Sequence, residues 1–213
     1  MKKKKIFIIV LSVFLAILVI VAVFLTVKAF KLKNIIEKAK TYENVNNYYV
    51  KTERKFSDGN VEVQEIFFLN GKLKWILNNS NAEVHIDYNS NTGYAVDNTT
   101  EKVTIMDSSN FSEVTTNENT VSLLGPAISA ESFWDYCYLA IRTKIKSNDD
   151  SYILTVDKDS KFTVDKDTGI CNLEEHYDGD TVTSYIKNEV SFDTVTEEDV
   201  QMLNSDEIKN AVS

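Results

Sequence analysis

The stretch Ile6–Val27, IFIIVLSVFLAILVIVAVFLTV, constrains this chain more than any other part of it. It carries no charge, and only Ser12, Ala16, Ala22 and Thr26 interrupt a run of Ile, Leu, Val and Phe. A helix rises about 1.5 Å per residue, so the run is about 33 Å long, enough to cross the hydrocarbon core of a bilayer. Its large apolar side chains favour insertion by roughly 5 to 11 kcal/mol. A cleaved signal peptide has an apolar region of about 7 to 15 residues, shorter than this one. No cysteine follows the run, so it carries no lipid-attachment box. The reading is therefore a signal-anchor: residues 1–5 a cytoplasmic tail, 6–28 a transmembrane helix, 29–213 one extracytoplasmic domain. Lys2, Lys3, Lys4 and Lys5 hold the N-terminus on the cytoplasmic side. Lys28, Lys31 and Lys33 on the far flank weaken that preference without reversing it.

Charge narrows the partners. Removing the four positive charges of the N-terminal lysines from the formal −9 leaves −13 on the rest of the chain. Such a domain repels phosphate backbones, so nucleic acid is not an expected partner. Pro126 is the only proline, which excludes a proline-rich linker.

Beyond the span, LKNIIEKAKTYENVNN places Leu32, Ile35, Ile36 and Ala39 on one stripe of a helix. The period then changes to two. NVEVQEIFFLNGKLKWILNN predicts a hairpin turning at Asn70-Gly71, with Leu73, Trp75 and Leu77 on one side and Lys72 and Lys74 on the other. Alternation continues through Val84, Ile86 and Tyr88, then Tyr94 and Val96, then Val103 and Ile105, which makes an antiparallel meander with one apolar face. Residues 107–122 are polar and read as a loop. SAESFWDYCYLAIRTKIKS follows, with Ala130, Phe133, Trp134, Cys137, Tyr138, Ile141 and Ile145 at helical spacing and Ser129 as N-cap. This helix is expected to lie across the apolar face, with Trp75, Phe133 and Trp134 meeting in one interior. SYILTVD, KFTVD, ICNLEEHYD and TVTSYIKNEVSF return to strands, the last with Val182, Ile186, Val190 and Phe192 on one face.

FTVDKDTGICNLEEHYDGD, rich in acids and glycine, invites a metal or phosphoryl-aspartate reading. The spacing rejects both. A calcium loop needs alternating oxygen ligands before its glycine, whereas Gly169 stands where the third acid should. A pump's Asp-Lys-Thr-Gly-Thr lacks the extra Asp167 found here. Asp165–Gly169 and Asp178–Asp180 read as strand-to-strand turns. The only histidines, His85 and His176, alternate onto polar faces, and no Cys-x-x-Cys, nucleophile elbow or phosphate loop occurs. No cofactor is expected, and the chain does not read as an enzyme. Cys137 and Cys171 either pair across the oxidising side of the membrane or remain two buried thiols.

What remains is aromatic bulk, with ten Tyr, eleven Phe and two Trp. It serves either a filled core or a sheet–helix cavity for an apolar ligand. The candidate cavity residues are Phe67, Leu73, Trp75, Leu77, Phe133, Trp134, Tyr138 and Ile186.

The order of parts resembles the lipoprotein-carrier (LolA-like) superfamily, which also includes periplasmic regulators of envelope-stress signalling. IIEKAKTYENVNNYYVKTERKFSDG is similar to its opening helix and first strand. FFLNGKLKWIL looks like the hairpin whose second arm carries an aromatic residue, and FTVDKDTGICNLEEHYDGDTVTSYIKNEVSFDTVTEEDV like its late hairpin and closing strand. The likeness spans residues 32 to 203. It implies an α+β fold, a curved antiparallel half-barrel covered on one face by helices, and an apolar ligand or envelope protein as partner. Family carriers are released into the periplasm, whereas this chain keeps an anchor, and none of the carriers' functional residues is matched here.

Overall fold

The computed structural model describes residues 2–42, 45–111, 124–128, 130, 132–204 and 207–208. Helix α1 (Lys2–Ile36) carries the apolar run without a break into the domain, where a 3-10 turn, η1 (Lys38–Tyr42), ends it. Among the described residues it is the one helix long and apolar enough to cross a membrane, and the apolar window is wholly unburied. Only its C-terminal part meets the domain. Ala29, Leu32, Ile35, Ile36 and Ala39 are buried, the stripe expected from their spacing.

Eleven antiparallel strands form one open sheet. They are β1 (Asn47–Lys55), β2 (Val61–Leu69), β3 (Lys72–Leu77), β4 (Ala82–Asp87), β5 (Thr92–Asp97), β6 (Lys102–Ile105), β7 (Thr143–Ser147), β8 (Ser151–Val156), β9 (Ser160–Asp165), β10 (Cys171–Asp178) and β11 (Thr181–Phe192). The order is β6-β5-β4-β3-β2-β1-β11-β10-β9-β8-β7, so two meanders meet where the first strand pairs with the last. Helix α2 (Phe133–Arg142) lies in the connection between them.

Register gathers most apolar side chains on one face, but Tyr94, Val96, Val103 and Ile105, expected to continue it, pair onto the opposite face with His85 and Glu83, where Tyr94 and Val103 are buried. Tyr48, Phe68 and Leu73 stand opposite one another across β1, β2 and β3, as do Val50, Ile66 and Trp75, and Ile86 follows Leu73 on β4. The same face continues through Phe192 and Val190 on β11 to Phe162 on β9 and Leu154 on β8. On this face two buried clusters form. One joins α1 and α2 to Leu154, Phe162, Val164 and Cys171. The other joins Tyr48, Val50, Ile66, Leu73, Val84 and Ile86 to Phe111 just beyond a short 3-10 turn, η2 (Ser108–Asn110). Thr52, Glu174 and Asn188 are buried polar residues of the strands between them. Thr52 donates to Asn188 Oδ1 at 2.9 Å, and Asn188 Nδ2 donates to the Cys171 carbonyl at 2.9 Å.

The turns share one device. Asp87, Asp97 and Asp165 each end a strand and accept, through Oδ1, the backbone N–H groups two and three residues on. Backbone donation holds the Asp97 carboxyl below its ordinary range. The acid-rich Asp165–Gly169 stretch is thus the same turn as its neighbours, with Gly169 at φ 76°. A Cβ on Gly169 would sit 2.5 Å from Lys38 Cβ and 2.6 Å from the Ala39 nitrogen. Glycine therefore lets this turn close onto η1. Gly179 takes φ 61° in the following turn, and the Asn70-Gly71 hairpin turn has φ 49° and 85°.

Three further expectations are corrected. First, the helix is shorter than its spacing suggested: it stops at Arg142, and Thr143–Ser147 is edge strand β7 paired with β8. Thr143 and Ile145 alternate with Lys144 and Lys146, a period of two that pairing selects over helix. Second, the observed N-cap is Ser132, whose side chain accepts from Asp135 N while Asp135 bonds back to Ser132 N at 2.8 Å, a capping box. The expected cap, Ser129, and most of the expected 107–122 loop lie outside the described residues. Third, the buried face of α2 is Tyr136, Leu139 and Ala140, whereas Trp134, Tyr138 and Ile141 are 78%, 60% and 67% exposed.

Candidate functional site

The expected cavity residues do not converge. Leu73 is buried in the cluster that includes Phe111, and Trp75 packs at its margin with Nε1 donating to Gln64 Oε1 at 3.2 Å. Leu77 borders a shallow cleft of about 190 Å³ with Thr52, Arg54 and Gln64. Ile186 is half-buried on the same face. Phe67 is on the opposite face, because it pairs with Lys74, and its ring lies 4.9 Å from Tyr49. It packs there in a small third cluster with Leu69, Val195 and Val200. Phe133, Trp134 and Tyr138 are on the outer side of α2, so they share no interior with Trp75. The physical reason is that apolar side chains cover most of the circumference of α2, leaving only the narrow stripe of Asp135 and Arg142 polar. Spacing alone could not say which stripe would meet α1, and the smaller Ala140 and Leu139 admit the closer approach.

A different site is assembled where α1 leaves the apolar run. Val27, Phe30, Lys31, Asn34, Ile35 and Lys38 form one wall of an open cleft of about 420 Å³. Tyr152, Asp165, Lys166 and Gly169 form the other. The Tyr152 ring lies between two ammonium groups, with Lys31 Nζ and Lys166 Nζ each 5.3 Å from its centroid. Lys38 Nζ donates to the Lys166 carbonyl, and Lys166 Nζ donates to the carbonyls of Asn148 and Asp149. Among the described residues none of these three lysines is ion-paired, and with Asp165 as the one carboxylate of the lining the cleft carries an excess of positive charge on an acidic domain. Lys31 comes from the last turns of α1 and Lys38 from the start of η1, which follows it. The long-range partners, Tyr152 and Lys166, left no local signal in the sequence.

Two polar groupings bear on other chemistry. On β9 and β10, Ser160 Oγ lies 3.0 Å from His176 Nδ1, and His176 Nε2 lies 2.8 Å from Glu174 Oε1. These three sit side by side on strands paired on both sides, with a register shift between β10 and β11 just after His176, and backbone donors in such ladders are taken up by pairing rather than grouped to receive an oxyanion. On the other face His85 stacks on Tyr94 at 4.8 Å and contacts Glu83 Oε2 at 3.2 Å, with Lys74 Nζ 3.4 Å from the same carboxylate. His85 was expected to be solvated but is buried, and its Nδ1 has no partner. Burial pushes its pKa down, against a weaker upward pull from Glu83. The C-terminal segment helps cover this region, with Leu203 N donating to the Tyr94 hydroxyl at 2.7 Å.

Cys137 and Cys171 are both free thiols. Burial pushes the Cys171 thiol up to about 12, which suppresses the reactive thiolate. Among the described residues no group of three or more His, Cys, Asp or Glu side chains is placed to hold a metal ion.

No family model matches the chain, and no curated protein does. Solved structures with a similar arrangement include MucB and MucB in complex with MucA(peri). The complex matches with a TM-score of 0.40 and 11% identity over 80% of this chain and 59% of that one. MucB alone matches at 0.39 and 9%, over 80% and 62%. The chain therefore spans about three-fifths of these proteins' length, and similarity this loose assigns no function.

Proposed function

We propose that this protein is a membrane-anchored, extracytoplasmic, non-enzymatic binding domain whose ligand is an anionic amphiphile, a lipid or lipid-like molecule. The cleft beside Val27 and Phe30 carries this reading. It joins an apolar wall, continuous with the membrane run, to the unpaired ammonium groups of Lys31, Lys38 and Lys166. An acyl chain would follow Val27, Phe30 and Ile35 while its acidic head meets the lysines, an attraction that grows where the chain excludes water. The ligand thus enters from the side of the helix rather than between sheet and helix, where Ala140, Leu154 and Val164 are fully buried.

That packed interior favours a second reading, a sensory or protein-interaction ectodomain. An envelope hydrolase using Ser160 is the weakest alternative, for want of an oxyanion site.

The test is mass spectrometry of lipids retained by the full-length protein after mild detergent extraction, comparing wild type with a Lys31→Glu/Lys38→Glu variant. Anionic lipid retained by the wild type and lost from the variant supports the proposal. Equal retention, or none in either, refutes it and leaves the protein-interaction reading.

A further inference from the structure

The outer face of α2 is unusual for a domain surface. Outside α1, the exposed large apolar side chains among the described residues are Val61, Ile105, Phe133, Trp134, Tyr138, Ile141 and Leu203. Four of these seven lie on one ten-residue helix, at positions that share a face. A contiguous patch of this kind marks a binding surface more often than chance exposure.

Its position identifies what it binds. The Phe133 ring contacts Phe30 at 5.1 Å and Trp134 at 6.1 Å, so the patch is continuous with the exposed wall of α1. Phe30 follows Val27 by three residues, about 4.5 Å along the axis. Leu25, still within the apolar run, already packs against the cluster that holds α2. The aromatic patch therefore stands at the level where hydrocarbon gives way to head groups, the depth at which Trp and Tyr concentrate. Cations frame it. Lys28, Lys31 and Lys33 lie along the adjoining part of α1, and Arg142 sits 5.1 Å over the Tyr138 ring while paired with Asp157.

We propose that the outer face of α2, led by Trp134, docks into the bilayer interface beside α1, giving the domain a second membrane contact. This rests on the reading that α1 spans the membrane and is independent of what the lysine cleft binds. Trp134 enters the head-group region edge-on with Phe133 and Phe30, Tyr138 and Ile141 extend the contact, and Arg142 meets lipid phosphates. The sheet is thereby held close against the membrane, and the mouth of the cleft opens onto lipid.

The chain has two tryptophans, Trp75 and Trp134, so intrinsic fluorescence reads the contact directly. Full-length protein is reconstituted into phosphatidylcholine–phosphatidylglycerol vesicles containing lipids brominated either near the carbonyl or near the chain end. Wild type is compared with Trp134→Phe, a replacement of an exposed side chain that leaves folding intact. The expected result is a blue-shifted emission component quenched more by the shallow label, absent in Trp134→Phe. Density flotation of the same samples separates the two levels of failure. Protein that floats stably but shows no lipid-quenchable Trp134 component overturns interfacial docking alone. A blue-shifted Trp134 unquenched by lipid points to a protein partner or second copy and overturns it equally. Protein that does not float removes the membrane span and the docking together.

Discussion

The two halves of the sheet are built from the same kind of strand but covered in different ways. Over β8, β9 and β10, α1 and α2 press Leu32, Ile35, Leu139 and Ala140 onto Leu154, Phe162 and Val164. Over β1 to β4 the described cover comes from separate stretches of chain, with Phe111, Met106, Leu124 and Tyr42 closing on Tyr48, Leu73 and Ile86. There Gly93 makes room, since a Cβ on it would lie 2.8 Å from the Phe111 ring. The packed pair α1 and α2 brings several apolar residues per turn already ordered, whereas cover drawn from separate stretches must fix each of them at about 1 to 2 kcal/mol of backbone entropy per residue. The half under α1 and α2 is thus expected to be the global stability core, and the other half to open locally.

The most damaging change should be Phe162→Ala, at about 3 to 5 kcal/mol of global stability by denaturant unfolding. Phe111→Ala removes a ring as deeply buried, yet its main effect should be faster amide exchange in β3, β4 and β5. Equal global losses at the two sites would erase the contrast between halves. Gly169→Ala should cost roughly 2 to 4 kcal/mol, since it combines left-handed backbone with a clash against η1. Calorimetry finding it neutral would mean that the turn does not close on the anchor.

His85 supplies a smaller, pH-dependent effect on the β1–β5 half. Unfolded, it titrates near its ordinary 6.5, and folded, it titrates lower. Between those values the unfolded chain binds more protons, so stability is full above about pH 6.5 and declines as pH falls through the folded value. Glu83, Lys74 and Tyr94 face the ring and set how far that decline extends. Denaturation midpoints should fall with acidification in wild type and fall less in His85→Gln. Least costly should be Trp134→Ala, within about 0.5 kcal/mol in detergent solution. A large loss there would place the side chain in the fold's own packing.

Local chemistry was legible wherever it decides structure by itself. The long apolar helix, the Leu32–Ala39 stripe, the Asn70-Gly71 hairpin and the Asp165 turn all follow from residue type and spacing over a few positions. Coverage was not legible in the same way. Phe133, Trp134, Tyr136 and Leu139 all offer apolar bulk, and the choice of buried stripe depends on α1, about a hundred residues earlier. Thr143–Lys146 fits a helix's spacing as well as a strand's until β8 offers a ladder. The lysine cleft needed Tyr152 and Lys166 brought to α1 by sheet order. Phe67 is different, because its pairing with Lys74 was already implied by the Asn70-Gly71 turn.

The unbroken passage of α1 into the domain has a mechanical consequence. If α1 is a membrane anchor, no slack tether separates it from the sheet, and the domain cannot sweep a volume above its attachment point in search of a target. If α1 spans the bilayer, a twist or lean of that rod is delivered to β8 and β9 as a lever delivers torque, and strain in the domain returns to the rod by the same route.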